Sequence, residues 1–210
     1  MLILYWIELF GVAVFAMAGA IEACRKRFDL FGVLVLAFVT ALGGGTLRDL
    51  LLDIAPLAWI RDLTLAYVAL GSAVITFVLA KFINIPFKAL LYADAVGLAA
   101  FTVSGTQTAI HMDLPCLVVV MMGMSSGIVG GIIRDLLANE IPLIFRRDIY
   151  ATATLIGSLS TYIVQQAGLA PELSVAFGFI IVLIIRLAAI HWQLHLPVFM
   201  HSTSYRNEKL

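Results

Sequence analysis

Apolar residues run along this chain in blocks long enough for a membrane-crossing helix, which needs about 20 residues. Polar residues fall mostly in the short gaps between blocks. Seven blocks are read as spans: Leu4–Ala23, Leu30–Leu51, Leu63–Ile83, Leu90–Ile110, Leu114–Leu137, Ile149–Ala167 and Leu173–Ile190. The connections leave no room for a soluble domain. The expected fold class is therefore an all-α polytopic membrane protein, with residues 1–210 in a single transmembrane domain.

The second block carries an oddity. Its second half reads GGGTLRDLL, three glycines followed by an Arg-Asp pair, Gly43 to Leu51. Comparing the chain with itself finds a partner, VGGIIRDLL. Arg48 matches Arg134 and Asp49 matches Asp135, an interval of 134 − 48 = 86 residues. Without a gap, the same interval pairs Pro56 with Pro142, Arg61 with Arg147, Asp62 with Asp148 and Gly71-Ser72 with Gly157-Ser158. Upstream it pairs Gly11 with Gly97, Phe15 with Phe101, Gly19 with Gly105 and Glu8 with Asp94. Repeat one covers residues 4–83 and repeat two residues 90–167. Each holds three spans, and an odd number makes the second repeat enter the membrane upside down, an inverted topology common in transporters and some channels. The seventh helix, 173–190, stands outside the repeat, and residues 191–210 form a short tail.

Composition agrees with a lipid environment. The chain is 62% hydrophobic and 12% charged, against about 25% charged in soluble domains. The net charge is zero, so nothing calls for a nucleic-acid partner. The opening MLILYWIELF has no basic n-region and no clear cleavage site, so it is read as the first span rather than a signal peptide. Basic residues orient the spans. Arg25, Lys26 and Arg27, then Lys81 and Lys88, then Arg146 and Arg147, then Arg206 and Lys209 fall on one side, against Arg61 on the other. This predicts an external N-terminus and a cytoplasmic C-terminus. Cys24 and Cys116 then lie on opposite sides, and no intrachain disulfide is expected.

The glycine clusters, Gly43, Gly44 and Gly45 in one repeat and Gly127, Gly130 and Gly131 in the other, have two readings. Glycine weakens a helix interior by roughly 1 kcal/mol relative to Ala, and a kink or break is tolerated at membrane depth where its carbonyls line a polar path. Small residues also let helices pack closely. Arg48, Asp49, Arg134 and Asp135 are costly in a span unless they face an interior or a cavity. They sit at the two mouths of a pathway or snorkel to the headgroups. Thr102, Ser104, Thr106, Ser125 and Ser126 either glue helices together or line a narrow wet path. Asp62 and Asp148 read as helix caps, and Glu8 and Asp94 as residues suited to a helix dipole. His111, His191, His195 and His201 lack metal-ligand spacing, and no nucleophile elbow, P-loop or zinc motif occurs. No enzyme, metal or cofactor is expected.

The doubled signature, GGTLRD at Gly44–Asp49 and GGIIRD at Gly130–Asp135, resembles that of the prokaryotic trimeric intracellular cation (TRIC) channels, whose bacterial sequences are also grouped as a "glycine transporter" family. The resemblance covers both repeats and the seventh span. It implies a homotrimer in a cell (inner) membrane, one pore per protomer lined by spans one, two, four and five, kinks at the glycine clusters, and conduction of K⁺ and Na⁺. The family's glycine triplet is complete at Gly43–Gly45, but its first position in the second repeat is Val129. From the residues alone, a cation channel, a transporter of a small zwitterion such as glycine, and a protein whose glycines only pack helices stay open.

Overall fold

The computed structural model describes residues 2–83, 85–146 and 149–194, which form eight α-helices and one 3-10 helix with no strand among them. The helices are α1 (Leu2–Arg25), α2 (Leu30–Leu51), α3 (Ala58–Arg61), α4 (Leu63–Ala80), α5 (Phe87–His111), α6 (Cys116–Leu137), α7 (Ala151–Gln166) and α8 (Pro171–Trp192). The 3-10 helix is Leu143–Phe145. Arg147, Asp148, His195, His201, Arg206 and Lys209 lie outside the described residues.

The long helices follow the apolar blocks to within a few residues. Their starts have local causes. The Asp29 side chain accepts the Gly32 N–H at 2.8 Å and opens α2. Asp62 accepts the Thr64 N–H at 2.9 Å and opens α4, as its position just before the third apolar block predicted. Two short elements lie outside the expected spans: α3 follows Pro56, and the 3-10 helix follows Pro142. Six helices, α1, α2, α4, α5, α6 and α8, are long and apolar enough to cross a membrane. α7 has 16 residues. At 1.5 Å per residue it reaches about 24 Å, short of a hydrocarbon core of about 30 Å.

The exterior is apolar along the length of the helices, with Phe31, Tyr67, Ile75, Leu117, Ile163 and Ile184 all exposed. Polar side chains gather inside instead, among them Thr40, Thr102, Ser104, Thr106, Gln107 and Ser126. This is the distribution that suits lipid rather than water as the solvent. α5 is the most buried of the six and packs against α1, α6, α7 and α8. Phe15 of α1 stacks on Phe101 of α5 at 5.4 Å near the middle of the bundle.

The 86-residue interval recurs in the backbone. Arg27 and Asp113 both take positive φ, 59° and 54°, and so do Asp53 and Asn139, 54° and 53°. Just after the second pair, Ile54 N–H bonds Asp49 C=O and Glu140 N–H bonds Asp135 C=O, each at 2.8 Å. A single left-handed residue followed by such a bond is a standard helix stop.

Candidate functional site

α2 and α6 each bring their Arg-Asp pair to opposite ends of the bundle, and both pairs are buried. Arg48 Nε and Nη2 each lie 2.8 Å from Asp49 Oδ1. Arg134 Nε lies 2.8 Å from Asp135 Oδ1. Neighbouring helix positions point about 100° apart, but the long guanidinium folds back on the next residue in both places. Each aspartate then uses its second oxygen to hold the chain that follows its helix. Asp49 Oδ2 accepts the Ala58 N–H at the start of α3, and Asp135 Oδ2 accepts the Leu143 N–H of the 3-10 helix, both at 2.9 Å.

Each arginine also reaches the helix that precedes its own in the chain, and Arg48 reaches α5 as well. Arg48 Nη1 is 3.5 Å from Glu8 of α1 and donates to Ser104 Oγ of α5 at 3.0 Å. Arg134 Nη1 donates to Asp94 Oδ1 of α5 at 2.6 Å. Glu8 and Asp94 therefore serve as arginine partners, where sequence reasoning gave them only a dipole role. Their 86-residue spacing was the available signal. Reading the arginines as interfacial snorkels fails, because both guanidinium groups are buried and each is paired with two carboxylates.

The glycines hold helices together. α-Helix continues unbroken through Gly43–Gly45 and through Gly127–Gly131, so the break considered from the sequence is absent. A Cβ on Gly44 would stand 2.1 Å from the Ser126 carbonyl oxygen, and one on Gly130 would stand 2.2 Å from the Thr40 carbonyl oxygen. These two contacts exchange under the same interval, 44 to 130 and 40 to 126, and mark where α2 crosses α6. Gly19 and Gly105 make the matching approaches of α1 to α2 and of α5 to α6, against the Leu36 and Met122 carbonyls at 2.9 and 2.6 Å. Gly127 faces Thr102 Oγ1 at 2.6 Å. Gly43, Gly45 and Gly131 have no backbone of another helix this close.

The hydroxyls divide. Thr106, Thr108 and Ser125 bond carbonyls of their own helices, those of Thr102, Ser104 and Met122. Ser104 also accepts from Arg48, which links it to the charged cluster. Thr102 Oγ1 and Ser126 Oγ are buried with no hydrogen-bond partner among the described residues, both beside the α5–α6 contact.

A small cavity lies at each cluster. One, of about 10 Å³, is lined by Glu8, Gly45, Thr46, Trp59 and Phe101 among others. The other, of about 130 Å³, is lined by Glu22, Arg25, Asp135, Glu140 and Arg146 among others. They share no lining residue, and the Gly44–Gly130 crossing and the Phe15–Phe101 stack belong to the core that divides the two clusters. At the mouth of the larger one Glu140 bridges Lys26, at 2.5 Å, and Arg146. The Lys26 ammonium, followed by Arg146, holds the Glu140 carboxyl below its ordinary value. Tyr150 and Arg186 were also missed. Tyr150 is buried with its hydroxyl 2.9 Å from where a Gly131 Cβ would stand, and Arg186 of α8 lies over its ring at 4.6 Å. Neither belongs to a repeated motif.

The family model described as "Glycine transporter" matches residues 5–81 and 91–166. The UPF0126 inner membrane protein YadS of Escherichia coli K12 is 44% identical over 200 residues, covering 94% of this chain and 97% of its own. A UPF0126 membrane protein of Vibrio cholerae is 40% identical, covering 94% and 83%. Among solved structures, the TRIC trimeric intracellular cation channel orthologue from Rhodobacter sphaeroides superposes with a TM-score of 0.89 at 36% identity, covering 92% of this chain and all of the other. A second structure, solved to explain conductance through TRIC cation channels, gives 0.86 at 37%, covering 94% and 98%. With 44% and 36–37% identity held over nearly its whole length, this chain belongs to the TRIC family, the one that the glycine-transporter model describes.

Proposed function

We propose that the protein is a monovalent cation channel, passing K⁺ and Na⁺, with one pore in each protomer of a homotrimer. The observation that carries this reading is the pair of matched clusters, Arg48-Asp49 with Glu8 and Arg134-Asp135 with Asp94, at opposite ends of one bundle. The pore runs between them past α1, α2, α5 and α6. Two inverted three-helix repeats build it: α1, α2 and α4, then α5, α6 and α7, with α8 as the seventh span. The trimer and the cation as cargo rest on the relatives, one of which is named as a trimeric cation channel.

The gate of this pathway is the crossing of α2 and α6, a reading supported by the close approach of Gly44 to Ser126 and of Gly130 to Thr40. Separating the helices at Gly44 and Gly130 uncovers the Thr40 and Ser126 carbonyls, which are the dipoles that replace part of a cation's hydration shell. The glycine clusters act as the flexing and contact points of this gate. Thr102, Ser104, Thr106, Ser125 and Ser126 supply the polar lining near it. The acidic partners make each mouth acceptable to a cation despite its arginine: two carboxylates face Arg48, and two face Arg134. A zwitterion carrier fits less well for the same reason. It needs a free cationic group for the substrate carboxylate, and both arginines are already paired.

The basic residues near Arg25, Lys81, Lys88 and Arg146 set the orientation in the inner membrane, with the N-terminus outside and the C-terminus in the cytoplasm. The larger cavity is then the cytoplasmic mouth. Purified protein in planar bilayers tests the function: discrete unitary currents in KCl are expected. Saturable glycine uptake into liposomes with no unitary current contradicts it.

A further inference from the structure

One histidine lies beyond the Arg48 cluster and takes no part in it. His111 ends α5 and is exposed, while Gln107, one turn earlier, is buried. Gln107 Nε2 lies 3.2 Å from His111 Nε2. An amide nitrogen only donates, so the imidazole nitrogen accepts. That contact requires a neutral ring with its proton on Nδ1. Gln107 Oε1 is buried with no hydrogen-bond partner among the described residues.

Both residues line a cavity of about 220 Å³ between α1, α5 and α8, together with Leu4 and Glu172. Helix geometry puts this cavity just beyond the Arg48 cluster. Leu4 stands one turn from Glu8 on α1, and Gln107 stands about one turn from Ser104 on α5. His111 follows Ser104 by 111 − 104 = 7 residues, close to two turns. It therefore shares the face of Ser104 about 10 Å farther along the axis. The charged and titratable groups around it are few. Glu172 of α8 shares the cavity, Asp113 and Asp53 follow α5 and α2, and Glu8, Arg48 and Asp49 lie inward. Cys116 of α6 and Tyr162 of α7 lie at this end but do not line the cavity. The repeat interval sets His111 against Arg25, 111 − 25 = 86, and Arg25 lines the cavity at the other mouth. One mouth thus carries a permanent cation at this position and the other a titratable group.

We infer that His111 is a proton-operated regulator of the mouth at Arg48, lowering cation entry when it is protonated. An imidazolium carries N–H on both nitrogens, so Nε2 no longer accepts from Gln107. The buried amide must turn its free Oε1 to the ring, and its NH₂ group takes the place that Oε1 held. This exchange happens one turn from the Ser104 that holds Arg48. The new charge on the ring stands in front of a mouth whose arginine is already balanced by carboxylates, and it repels an approaching cation. Histidine suits the task because it changes charge between about pH 5 and 8.

The inference rests on the channel reading, and the test keeps the two apart. Purified full-length protein is recorded in planar bilayers in dilute KCl while one chamber is taken from about pH 8 to about pH 5, the range over which histidine changes charge. Acidification is expected to lower the unitary current from one chamber only. The expected drop is about twofold, the effect of one unit charge about 10 Å away in water, and it shrinks as KCl is raised. His111→Gln is expected to abolish the drop, and His111→Lys to hold the lower current at both pH values. A wild type that conducts equally at both values from either chamber, or a drop that persists in His111→Gln, overturns the inference while the channel reading stands. No current at either pH overturns both.

Discussion

Arg134 and Asp94 form a fully buried ion pair, Nη1 to Oδ1 at 2.6 Å, while the matching pair of Arg48 and Glu8 is held at 3.5 Å with Glu8 partly exposed. The two ends of the bundle are alike in residues but not in tightness. Removing one partner of a buried pair costs about 3–5 kcal/mol, whereas a partly exposed one contributes about 1 kcal/mol or less. Asp94→Asn is therefore expected to lower the unfolding temperature well beyond Glu8→Gln. Thermal unfolding of both variants in one detergent checks this, and equal losses would refute the asymmetry.

Substitution of the glycines separates the contact from its neighbours. Gly44→Ala and Gly130→Ala place a methyl against a backbone carbonyl that cannot swing away. Overpacking of this kind costs about 1–3 kcal/mol, and the gate is expected to change its open probability as the helices part. Gly45→Ala meets nothing closer than the tip of the Arg48 side chain, at 3.9 Å. It is expected to be neutral or to stabilise α2 by about 0.5–1 kcal/mol. Thermal unfolding and single-channel recording on the three variants rank them, and Gly45→Ala as damaging as Gly44→Ala would refute the crossing.

The 86-residue interval was legible because it is carried by residue types that few positions tolerate: paired glycines, Arg-Asp, and a proline beyond them. The spans were legible because lipid demands long apolar runs. The role of Gly44 and Gly130 was not, since a glycine pattern alone does not distinguish a break from a carbonyl pressed against Cα. Glu8 and Asp94 hid as arginine partners because their contacts cross 40 residues of sequence in each repeat. Arg186 was invisible for a plainer reason. It lies in α8, where no partner motif drew attention to it, and its neighbour Tyr150 comes from a different helix start.

Glu140 supplies a pH dependence. Lys26 and Arg146 keep its folded-state carboxyl more acidic than its ordinary value of 4.5. A carboxyl lowered in the folded state stabilises above its unfolded value, and that stabilisation is lost as pH falls through the lower folded value. The wild type is expected to exceed Glu140→Gln in stability by a constant margin from pH 7 to about pH 5, and the margin is expected to vanish at lower pH. Because the group is partly exposed, the margin is expected to be small and to shrink in high salt. Unfolding curves of both proteins across this range decide it, and a margin that grows on acidification would contradict the bridge.

The central claim, that cations pass through each protomer, is tested most directly by the reversal potential of the purified protein in a planar bilayer under a KCl gradient. Unitary currents reversing close to the K⁺ equilibrium potential are the predicted result. Currents reversing at the Cl⁻ equilibrium potential, or a silent bilayer from protein that accumulates glycine in liposomes, would contradict it.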